Sequence, residues 1–147
     1  MRLGRMEPFV PAIWNVLHDG GIQRIEGTIP GDIHVHVSIE YLRERFGDEG
    51  DTIIVTLFDC DVFSHRLNNA EHAVSDLTAI ANESLTILST EMEGPLCRVF
   101  TGVGVLEVRC DGGAISLDSG RNVSLEELIS VAEAYWDEWE LRSKSSR

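Results

Sequence analysis

The segment Ile33 to Val37 reads IHVHV, and His34 and His36 are the pair whose type and spacing most suggest chemistry. Side chains at i and i+2 leave a β-strand on the same side, so two imidazoles placed this way can begin a metal site. Zinc and iron sites take three or four side-chain ligands, so the pair needs at least one more. His18, Asp19, Asp32, Asp59, Asp61 and His65, all in the first half of the chain, are the candidates. Strand pairing brings Asp59 or Asp61 beside the histidines only where register and facing agree. The same spacing arises wherever apolar and polar residues alternate along a half-buried strand, and Ile33, Val35 and Val37 alternate with the histidines in that way. The sequence favours imidazoles on the polar face of a strand; a metal-dependent enzyme using His34 and His36 is the rival reading.

A second cluster, FDCDVFSH, sets Asp59, Cys60, Asp61 and His65 close together and suggests a thiol nucleophile with a histidine base. Flanking carboxylates raise a thiol's pKa, the opposite of activation, so Cys60 reads as a buried structural residue. Serine and histidine occur without the strand-to-helix nucleophile elbow of hydrolases. In WNVLHDGG the His18-Asp19 step before Gly20 fits a helix cap or a side-chain-bonded turn. Trp136 and Trp139 fall on an apolar stripe and read as core, not as a platform for a cationic ligand. The dinucleotide and phosphate-loop fingerprints are absent, since GGIQRIEG lacks both the lysine and the glycine spacing, and no cofactor is expected.

These residues need elements to position them. Val10, Ile13, Trp14 and Leu17 at i, i+3, i+4 and i+7 predict a short helix closed by Gly20 and Gly21. IQRIEGTIPGDIHVHVSIEY predicts a hairpin around Pro30-Gly31, with Ile33, Val35, Val37, Ile39 and Tyr41 on one face. TIIVTLFDCDVF is nearly continuous in apolar residues from Ile53 to Phe58 and predicts a strand covered on both sides. Ala70, Ala73, Leu77, Ile80 and Ala81 predict a helix, with Asn68 and Glu71 as its cap pair. LTILSTEM, LCRVFTG, VLEVRC and AISLD, separated by glycine-containing turns, predict four antiparallel strands. Ser124 and Glu127 then form a capping box, and Leu125, Leu128, Ile129, Ala132, Trp136 and Trp139 recur at helical spacing. The absence of strand-helix-strand alternation predicts an α+β fold: a curved, mostly antiparallel sheet of about seven strands, a C-terminal helix packed on it and one or two shorter helices.

At 147 residues the chain has the size of one domain, read here as residues 1–147. Its 43% hydrophobic and 25% charged content is that of a globular chain. Cys60, Cys97 and Cys110 are three at wide spacing without a C-x-x-C pair, which argues against a disulfide framework or a zinc ribbon. Twelve Lys and Arg against 25 Asp and Glu give a net charge of −13. Such a charge repels nucleic acid and anionic membranes, so neither is expected as a partner; the acidic residues are scattered along the chain, which reads as general solubility, with an acidic face that attracts a basic protein as the alternative. No run of about 18 apolar residues occurs, and the opening MRLGRMEPFVPAIW lacks an uninterrupted apolar segment, so a cytoplasmic protein is expected, with Met6 as a second possible start.

IWNVLHDGGI leading into a hairpin, the EYLRERF segment and the terminal SLEELISVAEAYWDEW helix together resemble a group of small bacterial proteins of unassigned activity. More distantly, the His-Asp-Gly opening before an antiparallel sheet is similar to some immunity proteins of bacterial toxin systems. The resemblance implies a bacterial cytosolic protein that works by binding, and it supplies no catalytic residues to carry over. The expected function is a non-enzymatic interaction module meeting a basic protein partner. A homodimer through an exposed strand edge and a ligand-binding barrel with an apolar interior are further possibilities.

Overall fold

In chain order the elements are α1 (Phe9–Val16), β1 (Gly21–Gly27), β2 (Gly31–Ser38), α2 (Glu40–Arg43) with a 3₁₀ turn over Glu44–Phe46, β3 (Thr52–Cys60), β4 (Val62–Leu67), α3 (Leu77–Asn82), β5 (Ile87–Glu93), β6 (Leu96–Thr101), β7 (Gly104–Arg109), β8 (Gly112–Leu117), β9 (Asn122–Val123) and α4 (Leu125–Ser145). The computed structural model describes residues 9–145, with side chains from 12 to 142. The fold is α+β with antiparallel sheets, as the sequence predicts. Among the described residues no helix is long and apolar enough to cross a membrane.

Among the described residues nine strands form two open sheets, β1-β2-β3-β8-β9 and β4-β7-β6-β5. The apolar run through 52–63 is two strands, not one, because Asp61 alone separates β3 from β4 and carries the chain from the first sheet to the second. Cys110 and Asp111 return it from β7 to β8 beside this crossing. There Asp61 N–H donates to Arg109 O at 3.0 Å, Asp111 N–H donates to Phe58 O at 2.8 Å, and Asp61 takes a two-pronged bond from Arg109 at 2.9 and 2.7 Å. The antiparallel pairing sets Val35 opposite Val55 and Val37 opposite Ile53, and these four side chains are fully buried. They join Phe63, Val99, Leu106 and Val108 of the second sheet and Ile13, Trp14 and Leu17 of α1 in a single hydrophobic cluster.

Two boundaries and one cap differ from the sequence expectation for physical reasons. β2 stops at Ser38 and α2 begins at Glu40, so Tyr41 leaves the strand face and donates to His18 O at 3.2 Å. The helix expected from Ala70 starts at Leu77: Asp76 caps it, accepting from Thr78 and Ala79 N–H at 3.0 and 3.1 Å, a stronger start signal than Asn68 and Glu71. The chain before it runs extended enough for Val74 to exchange both backbone bonds with His65, at 2.9 and 2.8 Å. At α4, Ser124 accepts from Glu127 N–H at 3.0 Å as a capping box requires, but the Glu127 carboxylate turns to Arg121 at 2.5 Å. Leu128 and Ala132 bury in the common core, and α4 lies against α1 and α2.

Candidate functional site

Burial along β2 alternates residue by residue, with Ile33, Val35 and Val37 inside and His34 and His36 half-buried on the outer face. The two rings share that face but bond to opposite neighbours. His34 Nδ1 lies 2.9 Å from Thr56 Oγ1 on β3, and His36 Nε2 lies 2.8 Å from Glu26 Oε1 on β1. Glu26 also receives Arg24 at 2.6 Å, and the His36 bond, more than Arg24, holds its carboxyl below the ordinary range. The candidate third ligands are dispersed. Asp32 accepts Asp59 N–H at 2.9 Å, Asp61 is paired with Arg109, His65 lies in the core between the sheets, and His18 and Asp19 close α1. Among the described residues no group of three His, Cys, Asp or Glu could hold a metal ion.

The thiols are equally occupied. Burial pushes Cys60 and Cys97 up to about 12 and Cys110 to about 11, so all three are protonated at neutral pH. Cys60 S–H donates to Val62 O at 3.2 Å, while His65, four residues further along β4, bonds instead to Thr101 Oγ1 at 3.0 Å. The Thr101 hydroxyl donates to Gly104 O and accepts Gly104 N–H, both at 3.0 Å. Its one proton is thereby used, so His65 Nε2 is the protonated nitrogen and the imidazole is a neutral donor. Burial lowers the His65 pKa, which suits that role.

A heavily bonded side chain among the described residues is one the sequence reading passed over. Arg43 is 1% exposed and donates from Nε to Thr52 O (3.2 Å) and Asp118 Oδ1 (2.9 Å). Its Nη1 reaches Asp48 O (3.2 Å) and Oδ1 (3.0 Å), and its Nη2 reaches Glu49 O (2.8 Å). Asp118 Oδ2 accepts Asp51 and Thr52 N–H at 2.7 and 3.2 Å, and Ser119 bonds Asp48. Gly50 permits the loop to close over the guanidinium: its φ is 153°, and a Cβ there would come 2.0 Å from Arg43 Nη2. This knot ties the loop before β3 to the turn after β8. Its residues are spent on each other, which marks it as structural.

Rings from three distant segments gather where α4 crosses α1 and α2. His18 stacks on Trp136 (5.6 Å between centroids, 15° between planes), and Tyr41 lies 4.4 Å from Tyr135 and 5.8 Å, edge-on, from Trp136. Tyr135 meets Trp136 at 5.0 Å, Trp136 meets Trp139 at 5.9 Å, and the Arg45 guanidinium sits 5.2 Å over Tyr135 while pairing with Glu138. Burial, assisted by Asp19, raises the Tyr41 hydroxyl to about 12. Trp136 is half-buried, but Trp139, expected in the core, is 49% exposed because the apolar stripe of α4 continues beyond the body it packs on. The helical period identifies a stripe but not where its cover ends, so sequence reasoning missed the exposed indole. No family model, curated protein or solved structure matches the chain.

Proposed function

We propose that the protein is a non-enzymatic interaction module whose acidic surface engages a basic protein partner, in the manner of the bacterial immunity proteins its opening segment resembles. The observation that carries this reading is the net charge of −13. A field of that sign speeds encounter with a cationic protein and turns away nucleic acid and anionic lipid. The disposition of the reactive side chains supports it: the imidazoles of His34, His36 and His65 bond to separate neighbours, Cys60 and Cys97 are buried, and all three thiols are protonated. Capture with the full chain as bait, at low and then high ionic strength, is the test. Proteins of high isoelectric point should bind and be released by salt, because screening shortens the reach of surface charge to about 3 Å at 1 M. Capture that ignores salt, or none at all, refutes the reading.

A further inference from the structure

The three cysteines are far apart along the chain and close together in the fold. At the crossing between the sheets, Leu57 stands opposite Gly113 and Phe63 stands opposite Val108. Between these two rungs, Asp111 N–H to Phe58 O at 2.8 Å and Asp61 N–H to Arg109 O at 3.0 Å hold the two chains side by side. The buried Cys60 and the half-buried Cys110 are the residues between the rungs that join the common core, so both side chains face inward. Three steps along each chain from the Leu57–Gly113 rung bring Cys60 opposite Cys110. Burial, and then the nearness of Cys110, raises the Cys60 thiol, and the Arg109 backbone reaches the same sulfur. Opposed residues of antiparallel chains have Cα atoms about 4.5–5.5 Å apart, inside the span of about 4.4–6.8 Å that a disulfide bridges. Cys97 also lies near Cys110, but it stands opposite Val108 and so is diagonal to Cys110. A diagonal spacing of about 7–8 Å is too wide for the bond unless the backbone moves.

We propose that Cys60 and Cys110 are an oxidisable pair that closes into a disulfide across the crossing between the sheets, with Cys97 left as a thiol. This inference is independent of the binding reading. The oxidant is a small-molecule disulfide of the glutathione class. Cys110, the more accessible sulfur, gives its proton to solvent and attacks one sulfur of the oxidant, expelling the other as a thiolate that takes up a proton. Cys60 then loses its own proton and attacks Cys110 Sγ in the mixed disulfide, expelling the second small thiolate, which is protonated in turn. The protein pair gives up two electrons and one small disulfide becomes two thiols. What Cys60 forfeits, its S–H bond to Val62 O at 3.2 Å, is a weak interaction. Both sulfurs are held protonated in the reduced protein, so exchange is slow at neutral pH and follows sustained exposure to the oxidant. The new bond closes a loop of about 50 residues that contains the whole second sheet, and a loop of that length loses much of its freedom in the unfolded chain.

The test is prolonged incubation of the folded full chain with excess oxidised glutathione, followed by non-reducing peptide mapping and thermal melting. The wild type should lose two hydrogen atoms in mass, yield one crosslinked peptide pair joining Cys60 to Cys110, and melt roughly 10 °C higher than the reduced protein. A reductant should return both the mass and the melting point. Cys60→Ala and Cys110→Ala should each lose the crosslink and the shift, and Cys97→Ala should keep both. Circular dichroism of the reduced variants establishes that each is folded, and the map of the wild type stands without them. A glutathione adduct that stays on Cys110, a Cys97–Cys110 link, a disulfide between two chains, or three thiols intact after the incubation each overturns the inference. So does a Cys60–Cys110 crosslink that leaves the melting point unchanged or lower, because the chains would then have been strained to reach each other.

Discussion

Replacing Arg43 by methionine tests the central claim about what holds the loops around the first sheet. The guanidinium makes five donor contacts, three to the carbonyls of Thr52, Asp48 and Glu49 and two to the carboxylates of Asp48 and Asp118. The carboxylates are 30% and 27% exposed and can rehydrate when the cation is gone, so the loss falls mainly on the carbonyls and the uncompensated geometry. Methionine returns part of the difference through its apolar surface, and removal of one partner from a buried ionic group costs about 3–5 kcal/mol. For a chain of this size that corresponds to a melting point lowered by roughly 6–20 °C. Arg43→Lys keeps the charge but offers its donors from one nitrogen, and should recover only about half of the loss. Urea unfolding followed by tryptophan fluorescence measures both. The knot also predicts an acid limb. The Ser119 bond, and then Arg43, hold the Asp48 carboxyl low, and at Asp118 the bonds from Asp51, Arg43 and Thr52 outweigh a burial that opposes its charge. Carboxyls held low in the folded state stabilise fully above the unfolded value of about 4, and that contribution disappears as pH falls through the lower folded values. An Arg43→Met protein within about 1 kcal/mol of the wild type would reduce the knot to an ordinary surface ion pair and refute the reasoning.

Three further outcomes are expected. His65, with its pKa lowered by burial, is neutral when folded, so stability should decline as pH drops below the unfolded value of about 6.5 toward the lower folded one. Urea midpoints at the two ends of that range should show a slope that His65→Gln, which keeps a donor for Thr101, largely removes. Thiol reagents at neutral pH should label native Cys60 and Cys97, both buried, and the half-buried Cys110 more slowly than the unfolded chain, and rapid labelling of Cys60 or Cys97 would contradict its buried, protonated state. Untagged protein assayed by elemental analysis should carry no stoichiometric zinc or iron, because His34 and His36 bond to different strands; one bound equivalent lost on His36→Ala would restore the metal reading.

How far the sequence speaks depends on whether a feature is local. The alternation around His34 gave the strand, its inward face and the outward imidazoles, since a period of two is a property of the backbone itself. The Ser124 cap and the α4 stripe were legible for the same reason. The knot at Arg43 was not, because its acceptors lie 5 to 75 residues away and an arginine in EYLRERF looks like any solvated cation. The break at Asp61 was hidden inside an apolar run that reads as one strand, and only its pairing with Arg109 reveals a corner. The aromatic group joins His18, Tyr41 and Trp136 through tertiary packing, which no window of sequence contains.

The side-by-side crossings at Asp61 and at Cys110–Asp111 mean that the whole of the second sheet is a single excursion from the first. The ends of that excursion are adjacent, since β3 and β8 are paired right up to Phe58 and Gly112. Topologically, a short turn could replace 62–109 and leave a complete five-stranded meander; energetically it could not, because Phe63, Leu106 and Val108 belong to the same buried cluster as Val35 and Val55, and their removal would take away part of that core. The molecule is therefore one that could be grafted at this seam but not halved there.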